Sequence, residues 1–324
     1  MAWRLRLAPE KTDINFFKYQ WITFGGSMML TVVAIVLWAV LGLNYGIEFK
    51  GGTTIRTESS TPVDVGAYRE SMANLDLGDV VITEVFDPSF AVDQHVAMIR
   101  IAAQEGGEAV TPETIATTEA ALKAHDPAIT FAAVESVGPK VSRELIWKAI
   151  ASMVAASLGI LIYIWVRFEW QYALGGVIAL VHDIFITIGV FALFQLKFDL
   201  SIIAALLTIL GYSINDTVVV FDRLRENLQK YKTTPLRDVM NLSVNETLSR
   251  TLMTSVTTLI ALAAMLIFGG DVIRGFSFAI FFGVVLGTYS SIFVAKNLVL
   301  FIGLDRSDKP KGGKVGGKYA DIDA

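Results

Sequence analysis

The sequence predicts a polytopic α-helical membrane protein: six transmembrane helices with one extracytoplasmic α+β domain. Three observations predict it. Of 324 residues, 53% are hydrophobic and 18% charged, and the mean hydropathy of +0.55 lies outside the range of ordinary soluble domains. Six apolar runs, 19–43, 146–166, 172–194, 200–221, 249–267 and 275–295, approach or reach the length of about 20 residues that crosses about 30 Å of hydrocarbon at about 1.5 Å per residue. Between the first two runs the composition turns polar and the apolar period shortens, as in a soluble domain of mixed strands and helices.

Residues 1–18 form an N-terminal arm carrying Arg4, Arg6, Lys11 and Lys18, and 19–47 hold the first helix. Its apolar core is too long for a cleavable signal and no small-residue cleavage site precedes "NYGIEFKGG", so it is expected to stay as an anchor. Basic residues cluster again after the fourth run (Arg223, Arg225, Lys230, Lys232, Arg237) and in the tail (Lys309, Lys311, Lys314, Lys318). Six spans put all three clusters on one side, which the positive-inside bias makes cytoplasmic. Both termini are therefore expected in the cytoplasm, with the lipid bilayer as the first partner. A net charge of −4 gives no reason to expect nucleic acid. The absence of cysteine excludes disulfides and thiolate metal sites, and no cofactor or metal is expected.

Residues 48–145 read as the outer domain, with strands "GTTIRTE", "VVITEVF", "HVAMIRIAA" and "ITFAAVESV" and helices "VDVGAYRESMANL" and "TPETIATTEAALKAHD". The order βαββαβ is that of a ferredoxin-like domain. Thr111 followed by Pro112 supplies a helix start. Residues 146–297 hold spans two to six, and the Gly- and Lys-rich segment 298–324 reads as a flexible cytoplasmic tail. Gly312 to Lys318 has the frame of a phosphate-binding loop, but Tyr319 stands where Ser or Thr is needed, and neither a strand nor a helix flanks it. No internal repeat at a fixed period occurs, although six spans with one outer domain have the form of half a larger symmetric assembly.

The chemistry is sought where charge sits inside apolar runs, because a carboxylate at mid-membrane costs about 2.5 to 3.5 kcal/mol on insertion scales. In "GYSINDTVVVFDR", Asn215 and Asp216 share a helical face with Thr208 and Tyr212, and that face is expected to look inward. "NETLSRTLMTSVTTL" brings Glu246, Arg250, Thr254 and Thr258 along one face of the next span. Burial disfavours a charged carboxyl and a nearby cation favours it, so an acid so placed is suited to carry a proton. His182 and Asp183 in "LVHDIF" form a second candidate relay. Polar glue between helices is the bland reading of each pair. Gly283 and Gly287 form G-x-x-x-G, a packing pattern, and Gly51 with Gly52 marks the exit from the first span.

"IEFKGGTTI", with Phe49, Gly51 and Gly52, together with "VHD", "GYSINDTVVVFDRLREN" and "NETLSRTLMTS", resembles in content and order the SecF family, the smaller subunits of the SecD and SecF pair of bacterial protein export. The resemblance covers nearly the whole chain. It implies a six-helix half of an RND-type transporter, not an enzyme, that pairs with SecD beside the SecYEG translocon. Such a pair uses the proton motive force, with H+ as coupling ion, to draw a translocating polypeptide outward. It also implies that Asp216 and Arg250 lie on the proton pathway. Two rivals share parts of this pattern. A proton-driven exporter of a small molecule or lipid shares the bundle. An intramembrane aspartyl protease uses paired acids, a role open to Asp183 and Asp216 on adjacent spans, but its Tyr-Asp and Gly-x-Gly-Asp motifs are missing.

Overall fold

The computed structural model describes residues 12–75, 77–87, 90–103 and 110–304. The N-terminal basic cluster up to Lys11, the lysines of the tail and the Gly312 to Lys318 frame lie outside them. In chain order the elements are α1 (Gln20–Leu41), β1 (Asn44–Tyr45), α2 (Ile47–Lys50), β2 (Gly52–Ser59), α3 (Val65–Met72), β3 (Val80–Val85), β4 (His95–Ile101), α4 (Pro112–His125) and β5 (Thr130–Val137). There follow α5 (Pro139–Arg167), α6 (Trp170–Leu193), β6 (Lys197–Phe198), α7 (Leu200–Lys230), α8 (Leu236–Phe268) and α9 (Asp271–Ser290). A π-helical turn (Ser291–Ala295) joins α9 to α10 (Lys296–Ile302). Among the described residues six helical segments are long and apolar enough to cross a membrane: α1, α5, α6, α7, α8 and the α9–α10 unit.

The α/β domain, expected from the sequence to face outward, is a four-stranded sheet in the order β3-β4-β2-β5, antiparallel at every neighbour pair. Its two βαβ units interleave, since α3 leads from β2 to β3 across β4 and α4 leads from β4 to β5 across β2. Register places Ile55, Ile99 and Ile82 side by side on three strands. Tyr68 and Met72 of α3 and Leu122 of α4 close over them, forming the domain's own buried core. Both helices start as their sequences dictate: Asp64 accepts from the Ala67 amide at 3.0 Å, and Thr111 from the Thr114 amide at 3.2 Å with Pro112 in the first turn.

Gly51 and Gly52 have φ of 77° and 124°, values that L side chains rarely adopt. A Cβ at Gly52 would also collide with the Ile101 carbonyl, so the second glycine lets the chain enter β2 beside β4. Just upstream, β1 pairs in parallel with β6, Asn44 opposite Lys197 and Tyr45 opposite Phe198. Phe49 packs on both Tyr45 and Phe198. The segment after the first span thus fastens the root of the outer domain to the turn between α6 and α7. Strands of two residues leave no periodic signal, and this ladder is not foreseen from sequence.

Membrane helices run past the apolar runs that reveal them. α7 continues to Lys230 and α8 begins at Leu236, beyond the ends expected at 221 and 249, and α5 begins at Pro139 rather than 146. An apolar run marks where hydrocarbon ends, not where the helix does. The extra turns of α7 and α8 form a polar hairpin in which Glu246 Oε2 accepts from Arg223 and Asn227, each at 2.6 Å. Inside the membrane, α6 and the sixth span are the most buried of the six. Gly283 and Gly287 lie against Ile209 and Ser213 of α7, so closely that a Cβ at Gly283 would collide with the Ile209 side chain and one at Gly287 would stand 2.9 Å from Ser213 Cβ.

Candidate functional site

That close approach of α7 and α9 builds a buried polar knot around Asp183. Its Oδ1 meets His182 Nδ1 at 2.8 Å, and its Oδ2 accepts from Ser213 of α7 and Ser290 of α9, both at 2.7 Å. The far side of the imidazole, Nε2, lies 2.5 Å from Ser27 Oγ on α1. Asp183 has no exposed surface and His182 is 2% exposed. Every polar atom of the acid is engaged, and four helices meet there. The sequence indicates His182 and Asp183 but not Ser27, Ser213 and Ser290, since serines in apolar runs are common and carry no distinguishing spacing.

Asp216 is different. Its residue is 3% exposed, yet Oδ2 has no hydrogen-bond partner. The carboxyl faces the hydroxyl-bearing residues Ser255 and Thr254 of α8, with the charge of Arg250 in reach. Ser255 Oγ is itself bonded to Thr288 of α9 at 2.7 Å, and Thr254 Oγ1 bonds back to the Thr251 carbonyl at 2.9 Å. No hydrogen bond joins Asp183 to Asp216, because the partners of the first lie on α6, α7 and α9 and those of the second on α8. A proton-sharing acid dyad of the protease kind is therefore not formed.

Two placements differ from expectation. Asn215, expected beside Asp216 on an inward face, is exposed, as is Thr208. Consecutive residues stand about 100° apart around a helix, and the buried stripe of α7 runs through Ser213, Asp216, Thr217 and Val220 instead. On α8, Arg250 is exposed and the buried polar positions are Thr251 and Ser255, one residue further round than the stripe of fours expected from sequence. Among the described residues Arg250 makes no ion pair with Asp216 and acts on it through charge alone. Spacing fixes which residues share a face but not which face turns inward.

Sequence reasoning also misses Lys296, which is 1% exposed. It stands one residue past the apolar run and so reads as an interfacial cation. Its Nζ donates to the Phe16 carbonyl at 3.2 Å and lies 3.6 Å from the centre of the Phe17 ring. Among the described residues no group of three or more His, Asp or Glu side chains is placed to hold a metal ion.

Two family models match the chain: "Protein export membrane protein SecD/SecF, C-terminal" over residues 117–305, and "SecD/SecF GG Motif" over residues 36–63. The second contains Phe49, Gly51 and Gly52. The chain is 66% identical over 324 residues to a protein translocase subunit SecF of Cereibacter sphaeroides, covering 100% of both chains. It is 64% identical to the SecF of Rhodobacter capsulatus, over 96% of this chain and 95% of that one. Among solved structures it resembles SecDF, a translocon-associated membrane protein from Thermus thermophilus, with a TM-score of 0.80 and 34% identity over 91% of this chain. The match spans 39% of that longer chain. A structure of SecDF in a super-membrane-facing form matches with a TM-score of 0.66 and 35% identity.

Proposed function

The chain belongs to the SecF family of protein translocase subunits, and we propose that it works with SecD to convert the proton motive force into the late, outward movement of polypeptides leaving the SecYEG translocon. Asp216 is the proton-carrying group in this reading, with Arg250 as the charge that poises it. One observation carries the assignment: a nearly inaccessible carboxyl whose Oδ2 has no partner, beside two hydroxyl-bearing residues and a cation. The free oxygen is a place for a proton to sit. Asp183, with both its oxygens engaged, serves instead as the joint that holds α6, α7 and α9 in register, and His182 extends that joint to α1.

The exposed polar residues give SecD its place. Asn215 and Arg250 project from the chain at membrane depth or near it, where lipid would solvate them poorly. A polar helix face of SecD covers them in the assembled pair and brings the proton pathway to the interface between the subunits. Both termini and the α7–α8 hairpin face the cytoplasm of the inner membrane, and the α/β domain faces outward, as the basic clusters require. The short β1–β6 ladder gives movement of the α6–α7 turn a direct route into the outer domain. Gradient-driven export in vesicles carrying Asp216→Asn tests the reading.

A further inference from the structure

Residues 12–15 run without regular structure over the end of the bundle remote from the α/β domain and turn at 16–19 into α1. This strap is fastened to α8. Asn245 accepts from the Ile14 amide and donates to the Ile14 carbonyl, both at 2.9 Å. Asn241 accepts from the Phe16 amide at 2.9 Å and donates to the Ile14 carbonyl at 3.0 Å. Arg237 donates to the Phe17 carbonyl at 3.0 Å, and from the other side Lys296 donates to the Phe16 carbonyl. Burying the Lys296 amine with a single backbone carbonyl and the rings of Phe16, Phe17 and Phe293 as partners is costly, which marks the strap as a feature the fold maintains.

The strap delivers two buried rings, Phe17 against Lys296 and Phe16 on the Asp216 side of the bundle end. Phe16 is buried in a cluster with Val220 of α7, Val244 and Leu248 of α8 and Ile292 of the π-helical turn, and its ring meets Phe293 edge-on. Val220 is one turn beyond Asp216 on α7, roughly 6 Å along the axis at about 1.5 Å per residue. On α8, Leu248 lies two turns before Ser255, which faces Asp216. Phe16 therefore completes an apolar layer between Asp216 and the end of the bundle where the strap lies.

We propose that Phe16 is the cytoplasmic gate residue of the proton pathway, with the strap as its hinge and Asn241, Asn245, Arg237 and Lys296 as its catch; this rests on the reading of Asp216 as the proton carrier. A carrier that opens to both sides at once would discharge the gradient. An apolar layer stops that leak because water enters only where polar partners hold it. Release of the strap withdraws the ring and opens the path from Asp216 to cytoplasmic water, and its return closes it.

The chain has no cysteine, so Val220→Cys puts one thiol in it, just beneath Phe16. In inverted membrane vesicles holding the full chain with SecD, labelling by a charged, membrane-impermeant thiol reagent reports water access from the cytoplasmic side. With Phe16 in place labelling is slow. Phe16→Ala accelerates it several-fold, Phe16→Leu does so less, and the pair Asn241→Ala with Asn245→Ala accelerates it by untying the strap with the ring intact. Equal rates in all backgrounds, or fast labelling with the native strap, overturn the gate. Labelling does not require Asp216 to titrate. Accelerated labelling combined with undiminished gradient-driven export in Asp216→Asn removes the carrier and keeps a gated water path, whereas unchanged labelling removes the gate and leaves the carrier standing.

Discussion

Ser290 donates to Asp183 Oδ2 at 2.7 Å, and it is the last residue before the π-helical turn of the sixth span. Irregular helical turns cluster at functional sites. Here the turn separates the Asp183 knot on one side from Lys296, which holds the N-terminal strap, on the other. One span thus touches both the joint of the bundle and the catch at the end remote from the α/β domain.

If Asp183 is the joint, its partners are coupled. Ser213→Ala and Ser290→Ala each lower stability by about 0.6 to 1.7 kcal/mol, the range of interhelical hydrogen bonds in membranes. Asp183→Leu costs more than either, since it removes three hydrogen bonds at once and leaves His182 Nδ1 and the Ser213 hydroxyl without a partner. Thermal unfolding of the purified SecD pair checks this; an Asp183→Leu variant as stable as the native chain contradicts it.

The glycines on α9 act by absence of bulk. Gly283→Val drives a side chain into Ile209 and costs about 1 to 3 kcal/mol of overpacking, while moving Ser290 away from Asp183. Gly211→Ala on α7, where a Cβ meets nothing within 4 Å, is not destabilising. The same melting measurement distinguishes them, and equal effects of the two substitutions argue against the packing role.

In the outer domain, burial pushes the Asp126 carboxyl up, but hydrogen bonds from Ser59, Thr61, the Ala128 amide and Tyr68 together hold it below its ordinary value. Burial and the Asp126 charge push the Tyr68 hydroxyl up to about 12. The depressed acid stabilises the domain above its unfolded value, near 3.9, and this contribution is lost as pH falls through the folded value. The raised phenol contributes below about 10 and loses its contribution as pH climbs towards 12. Amide exchange of β2 and α4 in the full chain shows the acid side of this, with protection relative to the intrinsic exchange rate falling below about pH 4 in the native chain. Asp126→Ala has the lowered protection already at neutral pH. Identical profiles for the two contradict the assignment.

Much of this architecture is legible because hydrocarbon is a strict solvent. Apolar runs reveal the spans, and the outer domain's strands and helices appear within a few residues of their places because Thr111, Pro112 and the alternating β4 carry local signals. The site is legible only in part. Asp216, Asp183 and His182 stand out because charge in hydrocarbon is costly, while Ser27, Ser213, Ser290 and Ser255 do not, being cheap to bury singly. Asn215 is misplaced because the buried stripe of α7 passes through Ser213, Asp216 and Thr217, about 100° round from it, and nothing in one chain says which way that stripe turns. Lys296 and the strap escape notice because their partners lie more than 200 residues apart in sequence.

The carrier role of Asp216 is tested most directly by Asp216→Asn, which preserves shape and removes titration. Each proton crossing 100 mV supplies about 2.3 kcal/mol, so even one carrier makes a measurable contribution. Completion of polypeptide export is followed in vesicles with and without a proton gradient, at matched levels of the chain and SecD. The native pair exports faster with the gradient, and Asp216→Asn, though inserted and paired, shows only the gradient-independent rate. A gradient-dependent rate that survives in Asp216→Asn contradicts the account and leaves the acid as a packing residue.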